Sequence, residues 1–300
     1  MNATPQTMRA PAMHSRAMSD LGHVHVGRTL LLAALLLGLA GCGQSKQESA
    51  AVTPPPAKTV EPAPAPPVSN DAIIDAAIAS TDRLPDDSKE DEWRKPKEVL
   101  TFLGVKPGMA VIDYFSAGGY YTELLSRSVG EQGKVVAYNN AAYLKFAKDK
   151  PQLRYGNNRL TNVAQLTTPP GELSIAANSL DAALFVMSYH DLYWQPKKDP
   201  EWGVIDPAQA LAKLVPALKS GATVVVVDHV ARAGGDTAKT VDALHRIDPA
   251  VIKHDFEAAG LTFDGESTAL RHETDDHTKP VFDPSVQHQT DQVIYRFRKP

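Results

Sequence analysis

The chain has 300 residues, with 31 Lys and Arg against 35 Asp and Glu and a single cysteine. The mildly acidic balance, with no basic tract, argues against nucleic acid as a partner. One thiol leaves neither a disulfide partner nor companion cysteines for a metal centre.

The first segment reads as an address. Arg28 precedes the apolar run Thr29 to Leu39, too short for a transmembrane helix, which needs ~20 apolar residues. The run ends in Leu39-Ala40-Gly41-Cys42, which looks like a bacterial lipobox. A signal peptide over 1–41 and an acylated Cys42 follow from it; the alternative is a plain secretory signal with an incidental cysteine. Gly43 stands where an aspartate would favour the inner membrane, so the expected place is the outer membrane, facing the periplasm. Residues 1–17 are long for a leader, and Met18 is an alternative start. Residues 42–69, with Pro54-Pro55-Pro56 and Glu61-Pro62-Ala63-Pro64-Ala65-Pro66-Pro67, favour extended polyproline and read as an inert spacer.

Residues 70–300, about 230, suit one α/β domain. Asp71 to Ala79 has helical spacing with an acidic start. Asp91 to Leu103 reads as a second helix, broken or bent near Pro96. Met109 to Tyr114 is the first core strand, and Gly119 to Val129 its helix, closed by Gly130. A second strand covers Lys134 to Tyr138, a helix Ala141 to Lys148, and a third strand falls within Asn162 to Leu166. Leu180 to Met187 is a buried fourth strand, followed by a polar and aromatic loop, Ser188 to Val204. A helix over Pro207 to Leu218 precedes a fifth strand, Gly221 to Asp228, whose β-branched run predicts burial on both faces. Pro249 to Ala259 is helical; Leu261 to Leu270 and Gln292 to Phe297 are the last two strands. This alternation predicts a Rossmann-like, doubly wound sheet, with ligands beyond the carboxyl ends of its strands.

Val111 to Leu125 is the most informative stretch: an apolar strand, a Gly118-Gly119 turn and an immediate helix, as at a nucleotide site. Where D-x-G-x-G-x-G would have its first two glycines, Phe115 and Ala117 stand. Such a turn either admits a ligand or is a structural strand–helix connection.

The chain resembles the class I S-adenosylmethionine-dependent methyltransferases, and more closely a family of exported, predicted methyltransferases. The similarity runs from about Glu92 to Pro300. It is carried by Gly118-Gly119-Tyr120-Tyr121-Thr122-Glu123, Tyr138-Asn139, Ser188-Tyr189-His190-Asp191, Val227-Asp228-His229, His245-Arg246-Ile247-Asp248, Glu257-Ala258-Ala259-Gly260-Leu261 and Thr290 to Phe297. The resemblance implies a mostly parallel seven-stranded sheet with an antiparallel last strand, and S-adenosylmethionine as methyl donor to a small acceptor. It places Gly118 and Gly119 against the methionine part, with Asp113 either supporting that loop or reaching the amino group through water. Asn139 takes the position of the carboxylate that holds the ribose hydroxyls, and Met187 and Ser188 complete the cofactor set. Lacking that charge, and with Phe115 close to cofactor space, the site is expected to bind weakly.

His190 titrates near neutrality and is the candidate general base; the alternative is a loop histidine bonded to backbone. Tyr189, Tyr193 and Trp194 either stack on a ligand or cover the sheet edge. Asp228 and His229 read as structural partners of the 245–248 segment. No histidine lies in a compact ligand motif such as H-E-x-x-H, so no metal is expected, and His272, Asp275, Asp276 and His277 read as a solvated loop. No G-x-S-x-G elbow offers a covalent nucleophile. The rival to an enzyme is a binding or scaffold protein of the cell envelope on the same fold.

Overall fold

A computed structural model describes residues 69–195 and 202–300. The expected leader, Cys42 and the Pro/Ala-rich segment lie outside the described residues, as does 196–201 of the polar loop.

The sheet comprises β1 (Ala110–Tyr114), β2 (Lys134–Asn139), β3 (Val163–Thr167), β4 (Leu180–Val186), β5 (Leu218–His229), β6 (Thr262–Ser267) and β7 (Gln292–Arg298), in the order β3-β2-β1-β4-β5-β7-β6. The pairs from β3 through β5 are parallel, and β7 runs antiparallel to both β5 and β6. Six strands thus run one way and the last runs back between two of them, as expected.

Period-two alternation sends neighbouring residues to opposite faces. Ile112, Tyr114, Ala183, Phe185, Val224 and Val226 join one core; Val111, Ala182, Leu184, Val225 and Val227 join the other. The second core is covered by α1 (Asn70–Ile78), α3 (Pro96–Leu103) and α4 (Tyr120–Val129) through Ile74, Val99, Leu100, Leu103, Leu124 and Leu125. The first is covered by α5 (Ala141–Ala147), α7 (Pro207–Leu214) and α9 (Pro249–Ala258), with Tyr143, Leu211, Leu214, Ile252 and Phe256. Burial on both faces explains the unbroken Val224–Val227 run.

The break expected near Pro96 falls at Lys95, which ends α2 (Asp87–Arg94) in the left-handed region at φ 46°. Proline bars the residue before it from the right-handed helix, so α3 restarts with Pro96 in its first turn. Two short helices were not evident in the sequence: α6 (Lys150–Tyr155) and α8 (Thr237–Leu244). Among the described residues no helix is long and apolar enough to cross a membrane.

Within 272–277, Glu273, Thr274 and Asp276 are exposed as expected of a solvated loop, but Asp275 is not. Asp275 is buried and accepts from the two terminal guanidinium nitrogens of the fully buried Arg246, at 2.7 and 3.1 Å. It also accepts from the Asp291 backbone N–H at 2.7 Å. Asp291 in turn accepts from Arg271 at 2.8 Å and pairs with His277 Nε2 at 3.1 Å. Through Asp275, Arg246 therefore ties the middle of the connection between β6 and β7 to its β7 end.

Candidate functional site

A cleft of about 870 Å³ opens beyond the carboxyl ends of β1, β4 and β5. Asp113, Gly118, Gly119, Met187 and His190 line it; Asn139 and Ser188 do not. A smaller cavity of about 330 Å³ touches Met109, Asp181 and Lys219 near the amino ends of the strands. There Lys219 already pairs with Asp181 at 2.6 Å.

One wall is the β1–α4 turn. Phe115 and Ala117, at the positions of the missing glycines, nevertheless have left-handed backbones, φ 57° and 48°, and Gly119 follows at 79°. The loop keeps the glycine-turn path without glycine, at a cost of roughly 1–2 kcal/mol per non-glycine residue. Asn139 holds it there: its side-chain oxygen accepts from the Ala117 N–H at 2.8 Å and its amide donates to Ser116 Oγ at 2.9 Å. Ser116 N–H also donates to the Tyr138 carbonyl, at 3.0 Å. Asn139 thus holds the turn through both its oxygen and its amide. Ser188 is engaged similarly, donating to the Tyr114 carbonyl at 3.1 Å. Phe115 is buried and stacks on Tyr143, with ring centroids 4.4 Å apart. Its ring forms a side of the cleft.

The glycines make room for the chain itself. A Cβ on Gly119 would lie 2.1 Å from the Tyr155 hydroxyl, and one on Gly118 2.8 Å from a Lys150 side-chain carbon. Both contacts come from α6. The guanidinium of Arg154, on the same helix, is buried and donates to the Gly118 carbonyl at 2.5 Å, to Asp87 at 2.7 Å and to Glu123 at 2.5 Å. Glu123, on α4, also pairs with Arg127 and Arg159 at 2.7 and 2.9 Å. Burial would raise its pKa, but these cations hold it below the usual carboxylate range. Asp113, at the end of β1, has the opposite balance. Burial pushes its carboxyl up to about 6 despite a 2.6 Å hydrogen bond from Thr122 Oγ1.

The other wall follows β4 and β5. These parallel neighbours end together, with Val186 opposite Val227, so the 3-10 turn His190–Tyr193 lies beside the end of β5. Asp228 Oδ1 and His190 Nδ1 are 2.7 Å apart, and the backbone N–H of His190 donates to Asp228 Oδ2 at 2.8 Å. Asp228, read from sequence as a partner of the 245–248 segment, instead orients His190; that segment is met by backbone, through Ile247 N–H to the His229 carbonyl at 2.9 Å. Burial lowers the His190 pKa, but the carboxylates of Asp191 and Asp228 outweigh it and bring the ring to about 9. His229 is pulled down to about 3, chiefly by burial, and its Nδ1 lies 2.8 Å from Thr290 Oγ1. Of these two imidazoles, His190 is therefore the charged one and His229 the neutral one at neutral pH.

Around His190 stand groups that sequence reasoning had not joined. Tyr143 donates to Asp191 Oδ2. His245, 3.8 Å from Asp191 Oδ1, caps α8 with a left-handed backbone. Trp194 and Trp202 line the same side, their rings 4.8 Å apart, so the loop aromatics belong to the cleft as well as the core. Tyr189 and Tyr193 instead turn to Asp255 of α9, at 2.8 and 2.5 Å.

The strand order is that of a Rossmann-like, mostly parallel seven-stranded sheet with an antiparallel last strand, the fold expected from the sequence. No protein-family model matches the chain. No curated protein matches it either. Solved structures do resemble it in fold. A SAM-dependent methyltransferase from Aquifex aeolicus is 20% identical, with a TM-score of 0.48 over 71% of this chain and 98% of the other. The [4+2]-cyclase SpnF is 16% identical, with a TM-score of 0.47 over 74% and 86%. A TehB-like SAM-dependent methyltransferase from Corynebacterium glutamicum is 13% identical, with a TM-score of 0.41 over 71% and 99%.

Proposed function

We propose that the protein binds S-adenosylmethionine in the cleft and transfers its methyl group to a small acceptor held near His190. The observation that carries this reading is the β1–α4 turn. It keeps a left-handed path at Phe115, Ala117 and Gly119 beside a buried carboxylate, Asp113, at the carboxyl end of the sheet. A carboxylate there suits a cationic amino group. The sulfonium is already activated, so the protein's work is alignment and exclusion of water. With a pKa of about 9, His190 accepts a proton only in its minority neutral form at pH 7. Transfer to a protonated acceptor then speeds up as pH rises toward 9.

The test is calorimetry of the full chain with S-adenosylmethionine and S-adenosylhomocysteine. The expected result is saturable, weak binding of both, because Asn139 and Ser188 are committed to the fold. Absence of heat at millimolar ligand would remove the enzyme reading. A second reading, a binding or scaffold role without turnover, is favoured by α6, which already fills the space over Gly118 and Gly119. Binding without methyl transfer at any pH to 9 would select it.

The Leu39-Ala40-Gly41-Cys42 sequence supports a lipid-anchored protein of the outer membrane, facing the periplasm. Anchoring by acyl chains rests on ~0.8 kcal/mol per buried CH₂. Mass spectrometry of membrane extracts should find Cys42 acylated at the amino terminus, and Cys42→Ser should lose membrane retention. A free thiol at Cys42 contradicts this.

A further inference from the structure

We propose that His190, Asp191 and His245 form a binding site for a divalent transition cation of the zinc class, at the histidine wall of the cleft. Each offers one ligand atom, and the three atoms lie within 4.8 Å of one another. His190 Nε2 is 3.4 Å from Asp191 Oδ1, and His245 Nδ1 is 3.8 Å from the same oxygen. Bonds of ~2.0–2.1 Å to a tetrahedral zinc ion require ligand atoms about 3.3 Å apart. Two of the three edges are thus within about half an ångström of that spacing.

The outer contacts are those a metal site needs. A ligating histidine commonly donates its other ring N–H to a carboxylate, which fixes the tautomer and aims the free nitrogen. Asp228 occupies that place at His190 Nδ1, 2.7 Å away, and is itself held by the backbone N–H of His229 at 2.8 Å. Asp191 uses its second oxygen for the Tyr143 hydroxyl, which leaves Oδ1 to face the two histidines. The His190 and His245 rings stand at 87°, centroids 5.7 Å apart, and Trp194 and Phe282 flank His245 at 5.4 and 5.1 Å. His245 reaches this place only by taking φ 50°, and non-glycine residues are held in that region where the surrounding structure over-determines them, often at functional sites.

Two imidazoles and one carboxylate are borderline donors suited to Zn²⁺ and its neighbours rather than to Mg²⁺ or Ca²⁺. All three residues line the cleft, and three protein ligands leave one position for water or an acceptor oxygen or sulfur. Binding the cation displaces the Nε2 proton of His190 to solvent, and His190 then ligates rather than serving as a base. The Lewis acid then lowers the pKa of whatever fills the open position.

The site stands independently of S-adenosylmethionine binding, so its test omits that ligand. The full chain, stripped with a chelator and dialysed, is titrated with Co²⁺ as a spectroscopic probe and with Zn²⁺ by calorimetry. One equivalent should bind, with the visible bands of low-coordinate Co²⁺. His245→Asn, whose new side chain tolerates the left-handed backbone, and Asp191→Asn should each weaken binding at least tenfold. Asp228→Asn, acting through His190, should weaken it by roughly 10–100-fold. His254→Ala, at an exposed position on α9, should leave it unchanged. Circular dichroism confirms that each variant is folded. Absence of a saturable first equivalent overturns the proposal, as does binding that survives both His245→Asn and Asp191→Asn.

Discussion

The two walls of the cleft answer the same question in opposite ways. The glycine wall, which the sequence advertises most strongly, is largely closed on itself. Asn139 bonds the turn, Tyr155 and Lys150 fill the space the glycines leave, and Arg154 ties three segments to the Gly118 carbonyl. At the histidine wall, which no compact motif marks, His190, Asp191 and His245 each bring one ligand atom within 4.8 Å of the other two. A motif records that backbone must come close to something. It does not say whether that something is a ligand or the chain's own next helix.

The contrast can be broken at Arg154. Arg154→Ala leaves Asp87 and Glu123 buried with less compensation, and removing one partner of a buried pair costs ~3–5 kcal/mol. Arg127 and Arg159 still serve Glu123, which places the expected loss at the lower end, read by urea unfolding. A loss under 1 kcal/mol would mean that α6 is not what closes the glycine wall. Gly119→Ala comes next. It adds left-handed strain to a 2.1 Å clash with the Tyr155 hydroxyl, together roughly 2–4 kcal/mol. Adding Tyr155→Ala should recover the clash but not the strain, a double-mutant comparison that a purely ligand-facing glycine would fail.

Asp113 sharpens the comparison through pH. Its folded pKa, about 6, lies above the ordinary 3.8. Its contribution to stability is therefore full below pH 3.8 and is lost as pH rises through 6. At ~1.4 kcal/mol per unit the loss is up to roughly 3 kcal/mol. Unfolding free energies of wild type minus Asp113→Asn, measured from pH 4 to 7, should fall with pH over that window. A flat difference would mean the carboxylate is ionised throughout. Asn139→Ala should cost about 1–3 kcal/mol, from the two hydrogen bonds that hold the turn. The smallest effect belongs to Ala117→Gly. Relief of its left-handed backbone is offset by unfolded-chain entropy, leaving a change within about 1 kcal/mol by thermal unfolding.

The strands were legible because their apolar periodicity is set by burial, as the Val224–Val227 run and its two-sided packing show. The helix break at Lys95 was legible because Pro96 acts locally. α6 was not: it is six residues, begins with Lys150-Pro151 and carries its buried charge on Arg154, which has no partner nearby in sequence. The Asp275 segment misled for the same reason, its counter-ion Arg246 lying 29 residues away. Asn139 kept its place at the end of β2 while its side chain turned to the neighbouring loop, a choice made by two hydrogen bonds that only the folded geometry supplies. His245 joins Asp191 across a sequence gap because α8 ends in a left-handed cap, and no spacing rule covers that.

The connection between β6 and β7 has a base and a tip of different character. Arg246 and Arg271 lock the base through Asp275 and Asp291. Near the tip the side-chain hydrogen bonds are surface ones, among Lys279, Asp283 and Ser285, and Phe282 is 61% exposed beside Val281 at the lip of the cleft. Substitution of the exposed tip side chains, Phe282 above all, is thereby insulated from folding. A lineage, or an engineer, can recut the rim of this cleft for a different guest and leave the scaffold that presents it untouched.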